Sequence, residues 1–484
     1  MKIRLLSLLL VLTKILTAQT FTEMTGTPFA GVKWGSIAFS DVNGDGHDDV
    51  LITGRKIPAE RIAKLYTNDG TGNFTEMTGT PFDGVQWGSI AFSDVNGDGH
   101  NDVLITGENS SLWRITKLYT NDGTGIFTEM TGTPLDSVYN SCIAFSDVNG
   151  DGHKDVLITG VNRSAEQIAK LYTNDGTGTF TEMMGTPFDP VWFSSIAFSD
   201  VNGDGHEDVL ITGENSSLER VAKLYTNDGT GIFTEMTGTP FTGVHTGSIA
   251  FSDVNGDGYD DVLITGDSSY VEPIAKLYTN DGTGTFTEMT GTPFDAVWFG
   301  SIAFSDVNGD GHDDVLITGK NSSLERVAKL YTNDGTGTFT EMTGTTFDGV
   351  DDSSIAFSDV NGDGHDDVLI TGQNSAFELI AKLYINDGGA SSIEDINNGM
   401  SPDFILFPNP STPSTLFLSY HSTEMSEVTI KIYNANGILQ GQQKEFVLTG
   451  QQTFSIDIAT LSKGAYSLEL DNGKRKGVAK FIVQ

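Results

Sequence analysis

The string SDVNGDG recurs with its first Asp at positions 41, 94, 147, 200, 253, 306 and 359, and every step is 53 residues. A fixed period of this length restricts a chain to architectures in which one small unit stacks on copies of itself. Each copy carries the same short segments, in the first Ser36-Ile-Ala-Phe-Ser40, Asp49-Val-Leu-Ile-Thr53, Ile62-Ala-Lys-Leu-Tyr66 and Phe74-Thr-Glu-Met77. β-Branched and aromatic runs bounded by Gly, Asn and Asp read as strands and turns. We name these strands A, B, C and D. One four-stranded sheet of this size cannot bury both of its faces alone.

Stacking such sheets radially buries both faces and yields an all-β, seven-bladed β-propeller with four strands per blade; a right-handed solenoid is the runner-up. The ends favour the propeller. An extra Phe21-Thr-Glu-Met24 stands before the first strand A, and the last copy stops after Leu383-Tyr384 with no strand D. Residues 21–24 are therefore expected to complete the seventh blade and close the ring. If the turn at 68–72 centres on Gly70, Tyr66 should face Phe74, and Lys64 should face Glu76 as a sheet partner.

The chain of 484 residues carries 27 basic and 65 acidic residues, a formal charge of −38. Charge of this sign argues against nucleic acid and against unassisted binding to anionic lipid. A lone Cys142 permits no intrachain disulfide. Residues 1–18 read as a signal peptide, with Lys2 and Arg4 before the apolar Leu5–Leu12 and a cut expected after Ala18. No later stretch is apolar enough for a transmembrane segment. The mature chain is expected to be soluble and extracytoplasmic, braced by something other than disulfides.

The loop between strands A and B supplies a candidate. Asp41, Asn43, Asp45 and Asp49 place side-chain oxygens at positions 1, 3, 5 and 9 of a tight turn, and His47 at position 7 offers its carbonyl. Six or more oxygens around a turn suit Ca²⁺ better than Mg²⁺. The further copies are Asp94, Asn96, Asp98, His100 and Asp102; Asp147, Asn149, Asp151, His153 and Asp155; and Asp200, Asn202, Asp204, His206 and Asp208. They continue with Asp253, Asn255, Asp257, Tyr259 and Asp261; Asp306, Asn308, Asp310, His312 and Asp314; and Asp359, Asn361, Asp363, His365 and Asp367. Up to seven Ca²⁺, one per blade, are expected. This is not an EF-hand, because position 12 is Ile52 and strands flank the loop.

The copies differ in two windows. One follows a repeated Val before strand A (Lys33-Trp34, Gln86-Trp87, Tyr139-Asn140, Trp192-Phe193, His245-Thr246, Trp298-Phe299, Asp351-Asp352), and the other joins strands B and C. In an up-and-down blade both connections emerge opposite the A–B loops. All five tryptophans and all six arginines of the repeat region fall in these windows, and both residue types dominate binding hot spots. Trp34, Trp87, Trp113, Tyr139, Trp192, Phe193, His245, Trp298 and Phe299 are the candidate ligand-binding residues, for a glycan or a surface or matrix protein. Loop drift is the bland alternative.

No catalytic residues are assigned and the chain is not expected to be an enzyme. The repeated acids are committed to metal, and six of the eight His occupy loop position 7.

Phe39-Ser-Asp41-Val-Asn43-Gly-Asp45-Gly, with Asp49 and Val50-Leu-Ile52 behind it, resembles the FG-GAP/VCBS repeats of integrin α-like propellers across residues 19–388. The resemblance implies seven blades and calcium in the A–B loops. This family often has Asp where Asn43 stands.

Residues 389–404 read as a linker and 405–484 as a small C-terminal β-sandwich, with strands at Thr415–Ser419, Val428–Tyr433, Thr453–Ile458, Ala465–Leu470 and Val478–Val483 and a turn at Asn436-Gly437. Phe407-Pro-Asn-Pro410, Ile432-Tyr-Asn-Ala-Asn-Gly437, Ile456-Asp-Ile458, Gly464-Ala-Tyr466 and Lys480-Phe-Ile-Val483 resemble the type A C-terminal sorting domain of the type IX secretion system. That resemblance implies the type IX machinery as a partner and the extracellular or outer-membrane surface of a Bacteroidetes-like bacterium as the location. The expected function is calcium-braced recognition or cell adhesion; a structural surface-layer or matrix component, or a polysaccharide-active enzyme, is the alternative.

Overall fold

The computed structural model describes residues 21–269, 272–388, 404–407, 415–422, 426–434, 438–459, 461–471 and 476–483. The expected signal peptide, the linker short of Phe404 and the Asn436-Gly437 turn lie outside them. Every regular element among the described residues is a β-strand, and two compact units divide at Ala390 and Ser391.

The first unit is built from one repeated motif. Strand A (Ile37–Ser40), strand B (Asp49–Arg55), strand C (Arg61–Asn68) and strand D (Phe74–Glu76) pair antiparallel in chain order. The motif recurs to strand C at Leu379–Asn386, whose strand D is supplied by Phe21–Glu23, with Phe21 opposite Asn386 and Glu23 opposite Tyr384. This pairing is the one that the orphan segment at 21–24 led us to expect. The repeats fit a propeller.

Strand B shows why the sheets stack. Val50, Leu51 and Ile52 are all 0% exposed, so both faces of the strand are covered, as an unbroken apolar run requires. Each apolar cluster joins neighbouring repeats: Val42, Leu51 and Leu65 pack with Val103, Ile105 and Tyr119. The same kind of cluster joins the first repeat to the last, where Ile37, Val50 and Ile52 pack with Val360, Leu369 and Leu383. Tyr66 and its six counterparts are fully buried, and the Tyr66 hydroxyl accepts the Ala30 N–H at 3.1 Å.

The register of strands C and D differs from the expected one. Tyr66 lies opposite Glu76 and Asn68 opposite Phe74. The turn is longer than a Gly70-centred one: Asp69 N–H donates to Asn73 O at 3.1 Å, and the Asp69 carboxylate accepts the Thr71 N–H at 3.0 Å and its hydroxyl at 2.6 Å. The turn centre thereby moves to Thr71. Lys64 still reaches Glu76 diagonally, at 2.7 Å.

The second unit holds a three-stranded sheet (Phe404–Phe407, Thr415–Ser422, Gly450–Asp457) and a four-stranded sheet in the order Leu439–Val447, Ser426–Asn434, Gly464–Asp471, Lys476–Val483. Both contribute to one apolar cluster containing Leu416, Leu418, Ile430, Ile456, Leu468 and Val483. Two strands escaped the sequence reading, at Phe404–Phe407 and Leu439–Val447. The latter is a polar edge strand with mostly exposed or half-buried residues, so it lacks an apolar alternation.

Candidate functional site

The A–B loops and the variable windows hold the two candidate sites. In the first loop, Gly44 and Gly46 take φ of 75° and 88°, the left-handed region that Gly reaches without cost. The bend turns backbone N–H groups inward. Asp41 Oδ1 accepts from Gly44 at 2.8 Å and Asp41 Oδ2 from Gly46 at 2.9 Å. Asn43 Oδ1 accepts from Asp45 at 2.9 Å and Asp45 Oδ1 from His47 at 3.0 Å.

Asp49 is fully buried at the base, where its carboxylate accepts the N–H of Asn68 at 2.8 Å and of Val42 at 3.2 Å. Burial pushes its pKa up to about 6; the two N–H groups oppose this, and the charges of Asp45 and Asp41 add to it. Asp314 is pushed up to about 7 for the same main reason. His47 turns its ring over the C–D turn, where a Cβ on Gly70 would stand 2.4 Å from Nε2.

Does this donor set fit calcium? Among the described residues no group of three or more His, Cys, Asp or Glu is gathered closely enough to hold a metal ion. By chemistry the donors do fit: all are hard oxygens, each carboxylate keeps lone pairs beyond those used by backbone N–H groups, and a buried acid stands near two others without a basic side chain bonded to it.

The second site is a ring. Trp34, Trp87, Asn140, Phe193, Thr246, Phe299 and Asp352, the second residue of each variable pair, all adopt φ between 46° and 55°. Such a conformation costs an L-residue roughly 1–2 kcal/mol. A chain of backbone bonds between neighbouring repeats holds it: Trp87 N–H donates to Trp34 O at 2.7 Å, Phe193 to Asn140 at 3.1 Å, Thr246 to Phe193 at 3.2 Å and Phe299 to Thr246 at 2.8 Å. Trp34 N–H donates to Asp352 O at 3.1 Å, so the first repeat joins the last. The residue that follows is always Gly or Ser: a Cβ at Gly35 would lie 1.8 Å from Thr53 O, whereas in the repeats that carry Ser the hydroxyl bonds a neighbouring threonine, as Ser141 does Thr106 at 2.9 Å.

The ring rims a cavity of about 610 Å³, lined by all seven ring residues, by Tyr139 alone of their first-position partners, and by Glu108 from a strand B. Of the residues expected to bind ligand, Trp34, Trp87, Tyr139, Phe193 and Phe299 line it. Trp113, Trp192, His245 and Trp298 do not. Trp113 is 59% exposed on a B–C hairpin with the Arg163 guanidinium 5.6 Å from its ring. Trp192 Nε1 donates to Glu214 Oε1 at 3.2 Å, and His245 Nδ1 lies 3.6 Å from Asp267 Oδ2. Trp298 is half-buried in a two-residue strand. The alternation has a simple cause: the ring residue turns into the cavity, whereas its predecessor pairs with strand B, Tyr139 doing both.

Sequence reasoning passed over Asn140, Thr246, Asp352 and Glu108, because it selected aromatic rings. The left-handed turn at a fixed place in each repeat is the signal that would have found the first three. The arginines also differ from expectation. Arg61 bonds Glu108 at 2.5 Å, Arg220 bonds Asp267 at 3.2 Å and Arg326 bonds Asp351 at 2.6 Å; they tie repeats together rather than wait for a ligand. Cys142 packs beside an apolar cluster, and burial pushes its thiol up to about 11.

The repeat sheets and their A–B loops define a class of proteins built from short repeated β units. The FG-GAP-like repeat model matches residues 41–105, 94–158, 147–211, 200–264, 253–317 and 306–370, and the chain belongs to that family. Residues 405–484 are a secretion system C-terminal sorting domain, which marks the chain for export by type IX secretion to the extracellular side or the cell surface. No curated protein is significantly similar in sequence. Among solved structures, the exo-β-1,3-galactanase of Phanerochaete chrysosporium is 11% identical over 96% of this chain and 98% of its own, with a TM-score of 0.32. AofleA from Arthrobotrys oligospora is 13% identical over 68% and 91%, at 0.39, and the Aleuria aurantia lectin is 10% identical over 64% and 96%, at 0.37. Likeness this loose does not bear on function. Among the described residues no helix is long and apolar enough to cross a membrane.

Proposed function

We propose that the mature protein is a secreted or surface-displayed recognition module, a closed seven-bladed wheel that takes a glycan or protein ligand in its central cavity. The observation that carries this reading is the contrast between repeats that are otherwise nearly alike and a ring of seven residues of five kinds (Trp, Asn, Phe, Thr and Asp) around one cavity. Aromatic faces beside a few polar groups are the usual lining of a binding site. Asn68 and Asn386 support the wheel, as do the apolar cluster and backbone bond that join first and last repeats. The shared apolar cluster of the C-terminal unit supports a β-sandwich there.

Calcium belongs to the same proposal. The side chains of Asp41, Asn43, Asp45 and Asp49, with the His47 carbonyl, would hold it, as would the equivalent groups of the other loops. When bound it neutralises the buried acids and braces each loop. The reading is non-catalytic, which fits a half-buried Cys142 whose thiol is pushed up and repeated lysines engaged in ion pairs.

A glycan and matrix-protein array, run with calcium and with chelator, tests the proposal. Retention of a ligand that is lost in a Trp34→Ala, Trp87→Ala, Phe193→Ala triple variant is expected; a binding profile unchanged in that variant would sink it. A structural surface-layer role is favoured by one observation, the exposed apolar tips Leu112, Leu218, Leu324 and Phe377 of the B–C hairpins. Ligand-free self-assembly would support that second reading.

A further inference from the structure

Beside the cavity lies a smaller pocket of about 210 Å³, where the first repeat meets the last. Lys33, Arg55 and Lys56 line it, and Trp34 belongs to both pocket and cavity. Three cations in one place run against a chain that carries −38. They also break the repeat pattern. Where Arg55 stands, three other repeats carry an acid (Glu108, Glu214 and Asp267), and where Lys56 stands the others carry only Asn or Ser. The cluster is a cost to the fold. Lys33 and Arg55 face each other across a β-bridge, with Lys33 N–H donating to Arg55 O at 3.2 Å and Arg55 N–H to Lys33 O at 2.9 Å, and like charges directly opposite in a sheet destabilise it.

The partners at hand offset that cost poorly. Lys33 Nζ lies 3.7 Å from Asp352 Oδ2 and 3.4 Å from Gln373 Oε1, and Lys56 Nζ lies 3.6 Å from Glu60, an exposed side chain. The seven repeated lysines, by contrast, reach their acids at 2.6 to 3.1 Å. Arg55 meets no carboxylate among the described residues; its guanidinium donates to Pro58 O at 3.4 Å and stands 5.5 Å from the Trp34 ring. The side chains of Lys33 and Lys56 keep 20% and 33% exposure, so a ligand can reach them. We infer that Lys33, Arg55 and Lys56 take the anionic group, a carboxylate or a sulfate ester, of an acidic sugar seated beside Trp34 at the edge of the cavity. Guanidinium and ammonium donors make charge-assisted bonds to either group. The cavity itself is lined by the acids Glu108 and Asp352 and by no basic side chain, which leaves this pocket as the place where an anion finds a counter-charge. The paired rings of Trp34 and Trp87, with centroids 5.0 Å apart, favour a sugar over an acidic peptide, and the overall charge disfavours a dense polyanion. This rests on the proposed recognition function and narrows it to glycans that carry sparse negative charge.

The test uses the full chain, with calcium, on an array of neutral hexose oligosaccharides and their uronic-acid and sulfated counterparts, followed by titration of the strongest acidic binder and its neutral counterpart. The parent is expected to prefer acidic members; retention of the uronic acids alone, of the sulfated members alone, or of both supports the inference and names the anion. Arg55→Gln and Lys33→Gln are each expected to lose about tenfold or more in affinity for the acidic probe, the size of one charged hydrogen bond. Arg55→Glu, which the fold accommodates at this place in the second and fourth repeats as Glu108 and Glu214, is expected to abolish the preference for the acidic probe over its neutral counterpart. Lys56→Gln, on an exposed hairpin, carries the same test should Lys33→Gln fail to fold. An acidic preference unchanged in Arg55→Glu, or a parent that prefers neutral glycans, overturns the inference and leaves the recognition function standing. Retention of a matrix protein with no glycan also overturns it. A parent that binds nothing on either array removes both.

Discussion

The carboxamide of Asn68 donates to the carbonyl oxygen of Val360 at 2.8 Å. Asn121 makes the same bond to Val42, Asn227 to Val148 and Asn386 to Val307. In those three cases the donor follows the acceptor in the chain; in the first, the acceptor comes almost at the end of the repeat region. One bond type therefore links consecutive repeats and also links the first to the last.

A closed wheel makes a quantitative demand on that bond. Asn68→Ala and Asn227→Ala should lower stability equally, each by about 1–3 kcal/mol, since each leaves a buried carbonyl without its donor. Denaturant midpoints of the two variants measure this. An Asn68 variant that costs nothing while Asn227→Ala costs the full amount would indicate an open array.

Calcium should stabilise the fold through all seven loops. Binding to the folded state alone gives about 1.4 kcal/mol per site at ten times Kd. The melting temperature is expected to fall on adding a chelator and to recover with excess Ca²⁺. Asp41→Ala combined with Asp147→Ala should shrink the difference, because two donor sets are then broken. A melting temperature indifferent to chelator would contradict the metal reading.

Cys142 gives a prediction in pH. Its thiol is raised from 9.0 to about 11 by burial. The thiolate is the reactive form, and a pKa two units higher leaves roughly a hundredfold less of it at pH 8. Alkylation of the folded chain at pH 8 should be slower than that of the urea-unfolded chain by at least this factor. The rate should climb about tenfold per pH unit up to about pH 11. Equal rates in the folded and unfolded chains would show that the thiol is open to solvent.

The Arg61–Glu108 pair, with side chains only 10% and 16% exposed, should matter more than a surface ion pair. Arg61→Ala is expected to cost about 1–3 kcal/mol, because Glu108 keeps its charge in a half-closed setting with only Gln86 to bond it. The double variant with Glu108→Gln should recover part of the loss, measured by a thermodynamic cycle.

Deleting residues 405–484 should stop export. The truncated chain is expected to accumulate in the periplasm, read by fractionation and surface labelling; normal surface display would refute the sorting role.

Repetition made most of the fold legible. The period, the strand order and the strand that crosses from Phe21 to Asn386 all follow from where SDVNGDG and Phe-Thr-Glu-Met stand in the chain. Local polar chemistry was harder to read. The Asp69–Thr71 bonds lengthen the C–D turn, and moving its centre by one residue is enough to shift the partners of Tyr66 and Phe74 by two. The strand Leu439–Val447 lacks an apolar alternation because only Val447 of its nine residues is buried.

The candidate cavity divides in the same way. The variable windows and their aromatic residues stand in the sequence, since near-identity elsewhere makes the differences plain. Which member of each pair faces the cavity does not. Trp192 and Phe193 are both large and aromatic, yet only Phe193 lines it. That choice depends on the left-handed turn at Phe193, and the turn is held by N–H bonds to a residue 53 positions away. The sequence alone determined the unit and its number of copies, because periodic burial patterns are local. Only the tertiary structure decided which side chains meet at the centre, because that depends on bonds between repeats that no single repeat contains.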